Sequence, residues 1–151
     1  MDEHEALEKA IEAAGYSGCR KSKCGAIIWR PWSGPVSIGW SHPVRGYACD
    51  GSKDCNKHCI HAEQAVLLDA LRCGKPINGT EILRVEVVDG KAVPSEGPSC
   101  WQCSKLLVPS GIDAIWLLHD GPKGTYLKRY PIGEFHRLTL ENCGLHKKKH
   151  G

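Results

Sequence analysis

Two short pieces of the sequence carry residue types that could do metal chemistry: His61-Ala62-Glu63 and, further along, Cys100-Trp101-Gln102-Cys103. The first offers an imidazole and a carboxylate. The second offers two thiols one helical turn apart, on one helix face. Zinc favours tetrahedral sites with nitrogen and sulfur ligands, and a catalytic zinc takes three protein ligands and leaves the fourth position to water. His61, Cys100 and Cys103 supply three ligands, and Glu63 remains as a proton carrier. Zinc lowers the pKa of its water toward ~7, so the set points to hydrolysis at neutral pH. Two plainer readings are a structural zinc closed by a fourth ligand, for which cysteines are plentiful, and a pair of core cysteines with no metal. A bare C-x-x-C recurs by chance; H-x-E at one helix start with C-x-x-C at the next is more specific. A structural site would also have no use for Glu63.

The elements that must position these residues follow from periodicity. Residues 2–14 read as a helix, with Leu7, Ile11 and Ala14 at helical spacing and Gly15 as a stop. Gly25 to Trp29 is a buried strand, Pro31 to Pro35 a turn, and Val36 to Trp40 the hairpin partner. A loop rich in Gly, Asp, Ser and Cys follows, from about Ser41 to Asn56. The clearest helix runs from about Ile60 to Cys73, with Gly74 closing it. Ile82 to Val88 is a third strand, 89–98 a loop, and Cys100 to Pro109 or Ser110 a helix that Gly111 ends. Ala114 to Leu118 is a buried strand, then a looser region leads to a last helix, Ile132 to Asn142. This order suggests a sheet covered by helices on both faces, with a parallel crossover from the third strand through the third helix to the fourth strand. His61 then opens one helix and Cys100 and Cys103 the next, at the strand–loop–helix positions where α/β sheets hold ligands. A helix N-terminus favours negative charge and so favours thiolates. Positions two apart do not share a helix face, so Glu63 must reach round the first turn to meet a water on the metal.

Composition bounds the rest. One domain, 1–146, with a basic tail at 147–151 is the natural division for 151 residues, 41% of them hydrophobic. Lys plus Arg number 20 against 17 Asp plus Glu, a net charge of +3 that is too mild to argue nucleic-acid binding. Met1-Asp2-Glu3-His4-Glu5 is acidic and no apolar run follows it, and no stretch has the length of a membrane span. The nine cysteines are therefore expected in a reduced, cytoplasmic protein, binding metal or filling the core.

The H-x-E and C-x-x-C pieces follow the signature of zinc-dependent base deaminases. The chain resembles the cytidine/deoxycytidylate deaminase superfamily, its deoxycytidylate branch above all, from about Ser17 to about Asp120. Ser17-Gly18-Cys19-Arg20 with Gly25-Ala26-Ile27-Ile28 resembles that family's first-strand region, and Cys100 to Leu107 with Gly111-Ile112 resembles its zinc helix. The resemblance implies a three-layer α/β/α sandwich around a central mixed sheet of about five strands. It implies His61, Cys100 and Cys103 as zinc ligands, Glu63 as the acid/base, and the backbone of Ala62 against the bound pyrimidine. It also implies a homo-oligomer. Two places depart from the family. Ser99 stands between Pro98 and Cys100, where the proline is usually adjacent, so Ser99 joins the loop lining the pocket. Ser41-His42-Pro43 follows Gly39-Trp40, where the family carries an Asn that contacts the sugar; Ser41 or His42 is expected to take over.

The function expected on this reading is zinc-dependent hydrolytic deamination of a cytosine-type base in a free nucleotide or nucleoside, dCMP to dUMP first among them. A deaminase acting on a base within RNA or single-stranded DNA is the alternative, and a non-enzymatic zinc module comes third. Cys49, Cys55, His58 and Cys59 crowd the loop before the motif at a spacing that matches no common zinc finger; resemblance to deoxycytidylate deaminases that carry a second, structural zinc makes such a site a candidate, with Cys19 or Cys24 as extra ligands, and free thiols are the plainer reading. Cys73 and Cys143 read as core or near-surface thiols. Trp29, Trp32, Trp40 and Trp101 are candidates to stack on a base, though the strand positions of Trp29 and Trp40 favour the core, and Trp101, inside the C-x-x-C, could wall the pocket. Arg45 and His42, and the stretch with Lys123, Lys128 and Arg129, are candidates for phosphate contact or solvated faces.

Overall fold

In the computed structural model the described residues are 1–52, 58–95 and 101–144. The first helix, α1 (Glu3–Ala14), forms where expected. Asp2 caps it by accepting the N–H groups of His4 and Glu5 at 3.0 and 2.9 Å, as an N-cap carboxylate does. Its buried side is almost entirely alanine: Ala6, Ala10, Ala13 and Ala14. Small side chains let the helix lie close on strand β1 (Lys23–Arg30), and a Cβ on Gly25 would overlap the Ala10 carbonyl oxygen.

β1 pairs antiparallel with β2 (Gly34–Trp40) and with β5 (Glu81–Val88). A two-residue strand β3 (His42–Pro43) pairs with β4 (Cys59–Ile60) in a separate ribbon just before α2 (Ala62–Arg72). β5 turns into the short β6 (Lys91–Val93). Then come α3 (Trp101–Leu107) with a 3-10 turn at Val108–Ser110, β7 (Ala114–Gly121), β8 (Gly124–Pro131) and α4 (Ile132–Asn142). The main sheet runs in the order β2-β1-β5-β7-β8, with β6 on β5. β5 and β7 are parallel, Glu81 facing Ala114, and the other pairs are antiparallel. The parallel crossover expected from the sequence is thus present.

Alternation along the strands divides two cores. Ile27, Trp29, Leu83 and Val85 pack under α1. Ala26, Ile28, Ile82, Ile115 and Leu117 face the other way, against Val66 of α2, Leu107 of α3 and Phe135 of α4. The result is the expected helix–sheet–helix layering around a mixed sheet.

Three boundaries differ from expectation. Ile60 belongs to β4, and α2 starts only at Ala62, because His61 is extended (φ −73°, ψ 155°). Residues 89–98 are not wholly loop: Asp89 and Gly90, at φ 51° and 78°, form the tight turn of the β5–β6 hairpin, the left-handed geometry that Asp-Gly favours. The looser region after Leu118 is a hairpin, β7 running on to Gly121 and β8 returning along it. β8 hides from pattern reading because it is a largely exposed edge strand with little apolar alternation.

The seating of α2 matters most for chemistry. Gly39 of β2 touches its backbone; a Cβ there would stand 2.5 Å from the Val66 nitrogen. Ser37 Oγ lies 2.8 Å from the Val66 carbonyl oxygen and 2.7 Å from Asp69 Oδ2, tying the same turn to the sheet. Gly39→Ala must push the helix away. It is expected to lower stability by about 1–3 kcal/mol, the usual cost of overpacking, read as a lower urea midpoint.

Candidate functional site

The extended backbone at His61 makes it the N-cap of α2, and its N–H is taken by Gln64 Oε1 at 3.0 Å, one half of a capping box. The imidazole reaches α3: Nδ1 stands 3.1 Å from Cys103 Sγ. Two ligands on one tetrahedral zinc, at bond lengths of about 2.0–2.1 Å and 2.3 Å, would be roughly 3.6 Å apart. The pair therefore needs to open by only about half an ångström to hold the metal between them. Cys103 is buried in the first turn of α3. The next residue, Ser104, shares a 2.8 Å hydrogen bond with His136 Nδ1 of α4, which fixes α3 against its neighbour. Pro98, Ser99 and Cys100 lie outside the described residues.

Glu63 occupies the second position of α2 and is only 3% exposed. A buried carboxylate is costly unless charge or hydrogen bonds balance it. Here the positive end of α2 helps, and Arg84 Nε of β5 lies 3.9 Å from Oε2. Arg84 is itself held, its Nη2 donating to the Ser95 carbonyl at 3.4 Å. Cys24 of β1, opposite Glu86, lies on the same face of the sheet. Burial above all, with the nearby Glu63 charge, pushes its thiol up to about 11, so it stays protonated at neutral pH. Ser22 Oγ donates to Glu86 Oε2 at 2.8 Å.

The geometry is a nitrogen and a sulfur donor converging from two helix starts, beside a buried carboxylate. The sequence agrees: residues 1–119 match the family described as the cytidine and deoxycytidylate deaminase zinc-binding region. The chain belongs to that family.

Its members are zinc-dependent hydrolytic deaminases, and this chain is therefore an enzyme of that class with zinc as cofactor. Solved structures share the fold. Cytidine deaminase from Burkholderia pseudomallei matches with a TM-score of 0.65 and 20% identity, over 89% of this chain and 96% of that one. The dCMP deaminase of the cyanophage S-TIM5, in complex with dCMP and dUMP, matches with a TM-score of 0.59 and 23% identity, over 75% and 77%. Cytidine deaminase from Mycobacterium tuberculosis gives 0.53 and 18%, over 88% and 92%. No curated protein matches the sequence.

Within this deaminase, Arg84 lies beside Glu63 although no motif names it. The signal was there: in Ile82-Leu83-Arg84-Val85-Glu86-Val87 the charges fall on every second position of an apolar strand, and so on one face. Arg84→Met would leave the Glu63 carboxylate without its neighbouring cation. A fall in kcat of about ten- to a hundredfold is expected, in line with the cost of misplacing a catalytic group by an ångström. Arg84→Lys should recover part of it, and steady-state kinetics on both variants would show this.

Ser41 is buried and bonded on all sides. Its Oγ donates to the Ser22 carbonyl at 2.9 Å, accepts the Cys24 N–H at 3.0 Å and meets Ser17 Oγ at 2.7 Å. His42, on β3, is half-buried; its Nδ1 lies 2.9 Å from the Pro43 carbonyl oxygen, and the ring lines a cleft of about 330 Å³ with Trp40, Ile60 and Asp69. Ala62 is fully buried at the first turn of α2.

The cysteines of the preceding loop sort themselves. Cys49 and Cys59 meet Cys19, all three sulfurs lying within 4.8 Å of one another. The Arg20 N–H holds the Cys49 thiol down at about 6, while burial pushes the Cys59 thiol up. Cys24 instead sits by Glu63, His58 stacks on Tyr47 with ring centroids 4.2 Å apart, and Cys55 lies outside the described residues. Cys73 and Cys143 are exposed. Trp29 is buried as expected, Trp40 is half-buried against Tyr16, and Trp32 is exposed; the Trp101 side chain is not among those described. Arg129 is engaged by Glu81 at 3.1 Å and Lys128 stands over the Tyr130 ring. The Lys147–Lys149 tail lies outside the described residues. Among those described, no helix is long and apolar enough to cross a membrane.

Proposed function

We propose that the enzyme deaminates a cytosine-type base in a free nucleotide or nucleoside, with dCMP, giving dUMP, as its first substrate. The observation that carries this is the convergence of His61 and Cys103 beside the buried Glu63. His61 and Cys103, with Cys100, would hold the zinc. When bound, zinc supplies the Lewis acidity that makes a water nucleophilic near neutral pH. Glu63 is the acid/base: it takes one proton of the attacking water and delivers it to the ring nitrogen, then takes the second, from the hydroxyl now on the ring carbon, and gives it to the amine, which departs as ammonia and leaves a carbonyl. Arg84 holds the Glu63 carboxylate in place between these transfers. Burial of the carboxylate keeps bulk water from competing for its proton. The cleft flanked by His42 would take the sugar end.

Free-nucleotide use is supported by the modest net charge of +3, since a polynucleotide-binding groove needs several phosphate contacts. The resemblance of the Cys100 to Leu107 segment to the zinc helix of the deoxycytidylate branch supports dCMP as the first substrate to test. A panel of dCMP, CMP, deoxycytidine, cytidine and cytosine-containing oligonucleotides, followed by ammonia release, tests it. The highest kcat/KM is expected for dCMP. A panel in which only oligonucleotides react would replace this reading with the polynucleotide one.

The enzyme is also proposed to self-associate. Between α2 and α3 runs an apolar groove lined by Leu67, Leu68, Leu71, Leu106 and Pro109, with Leu68 and Leu71 well exposed. Sedimentation is expected to show a multimer that Leu71→Asp weakens.

A further inference from the structure

We infer that His136, on the last helix α4, is a positioning residue for the proposed metal centre. Its ring holds Ser104, and through Ser104 the turn of α3 that carries Cys103. This role rests on the ligand places proposed for His61 and Cys103. It gives α4 a part in the chemistry that no motif names.

The two ligand-bearing helices are held by different means. α2 lies against β1 and β2, meets Gly39 through its backbone and is tied to β2 by Ser37. α3 is only seven residues long, and a helix that short does not hold itself in water. Its place is set by packing, and its main helical neighbour is α4. At the far end of α3, Leu107 enters the core that it shares with Phe135 of α4. Near Cys103 the contact is polar: Ser104 Oγ and His136 Nδ1 stand 2.8 Å apart. Ser104 is 1% exposed, and a hydrogen bond shielded from water in this way is stronger than one at the surface.

α4 is a firm support for that bond. Phe135, beside His136, is buried along with Thr139 one turn on, and Thr139 Oγ1 donates to the Phe135 carbonyl at 2.8 Å. Ser104 directly follows Cys103, so a shift of that turn moves both. Metal ligation is sensitive to such shifts, because ligand distances hold to within about 0.2 Å. Cys103 Sγ already stands 3.1 Å from His61 Nδ1, so where α3 rests decides how well the pair closes on a metal. Groups that hydrogen-bond directly to metal ligands change affinity by about 10–100-fold. His136 acts one residue further out, so an effect of about tenfold is expected.

Zinc affinity measured by competition with a chromophoric chelator tests this, with Cys103→Ala as the blank for the centre. His136→Ala is expected to hold that zinc about tenfold more weakly than wild type, and Ser104→Ala to match it. The double variant should be no weaker than either single one, because both remove the same bond. Asparagine can put its amide near the place of Nδ1, whereas glutamine reaches toward that of Nε2. His136→Asn should therefore stay near wild type while His136→Gln falls with His136→Ala. Unchanged affinity in His136→Ala would overturn the proposal, as would losses that add in the double variant. Equal affinity in His136→Asn and His136→Gln would overturn it too, since bulk and not the bond would then be the cause. Equal zinc in wild type and Cys103→Ala would take the metal from Cys103, and the ligand reading would go with the proposal. A deficit in Cys103→Ala with no change at His136 strikes the proposal alone. Should His136→Ala not fold, the contrast between asparagine and glutamine decides.

Discussion

Glu63→Gln is expected to cut turnover by at least ~10²–10⁴-fold, the range for losing one general acid–base group, and by more if the same carboxylate serves every proton transfer. Glutamine has nearly the same shape and fits a pocket in which Glu63 is only 3% exposed, so the fold should survive. It can accept a hydrogen bond but cannot carry a proton at neutral pH. Zinc content should stay at the wild-type value, because the proposed ligands are untouched. Stability should hold or rise slightly, since a buried carboxylate is costly even beside Arg84. Single-turnover kinetics with metal analysis on the same sample separates these effects. A rate within tenfold of wild type would remove Glu63 from the mechanism.

The second large effect is expected at Cys103. Cys103→Ala deletes a sulfur that stands 3.1 Å from His61 Nδ1, leaving too few donors for a closed set of three. Deamination should fall below detection, and millimolar zinc should not restore it. Because metal binding and folding are coupled where ligands come from separate elements, a drop in thermal stability should accompany the loss. Chelation of wild type should mimic the variant, and readdition of zinc should rescue wild type alone. Full activity after exhaustive chelation would take zinc out of the reaction.

What could be read from the chain beforehand divides along physical lines. α1, α4 and the body of α2 are amphipathic helices whose partners lie in one core, and local periodicity is enough to find them. The meeting of His61 with Cys103 was legible because the metal ligation proposed for them demands particular atoms at helix starts, a requirement that leaves a mark in sequence. β8 was not legible, because an exposed edge strand has no buried face to impose a pattern. The β5–β6 hairpin was legible in principle, since Asp89-Gly90 is a strong turn signal, but Pro94 and the residues after it read as loop. That Cys19 groups with Cys49 and Cys59 was among the sets the sequence offered, but the choice of Cys19 over Cys24 was not legible, as it depends on how the loop folds back on the α1–β1 turn. The Glu63–Arg84 neighbourhood depends on the β1–β5 register, which no local pattern sets.

That register has an evolutionary consequence. In β5, Leu83 and Val85 pack beneath α1, while Arg84 faces Glu63 on the other side. Side chains on a strand change faces at each step, so a slip of one residue exchanges the two sets. A single-codon insertion or deletion in β5 would drive a guanidinium into the oil under α1 and bring a leucine to the Glu63 carboxylate. Length changes there should be purged twice over, once by misfolding and once by inactivity. Point substitutions confined to one face can be compensated from that face, so this strand can drift in composition while its length stays fixed.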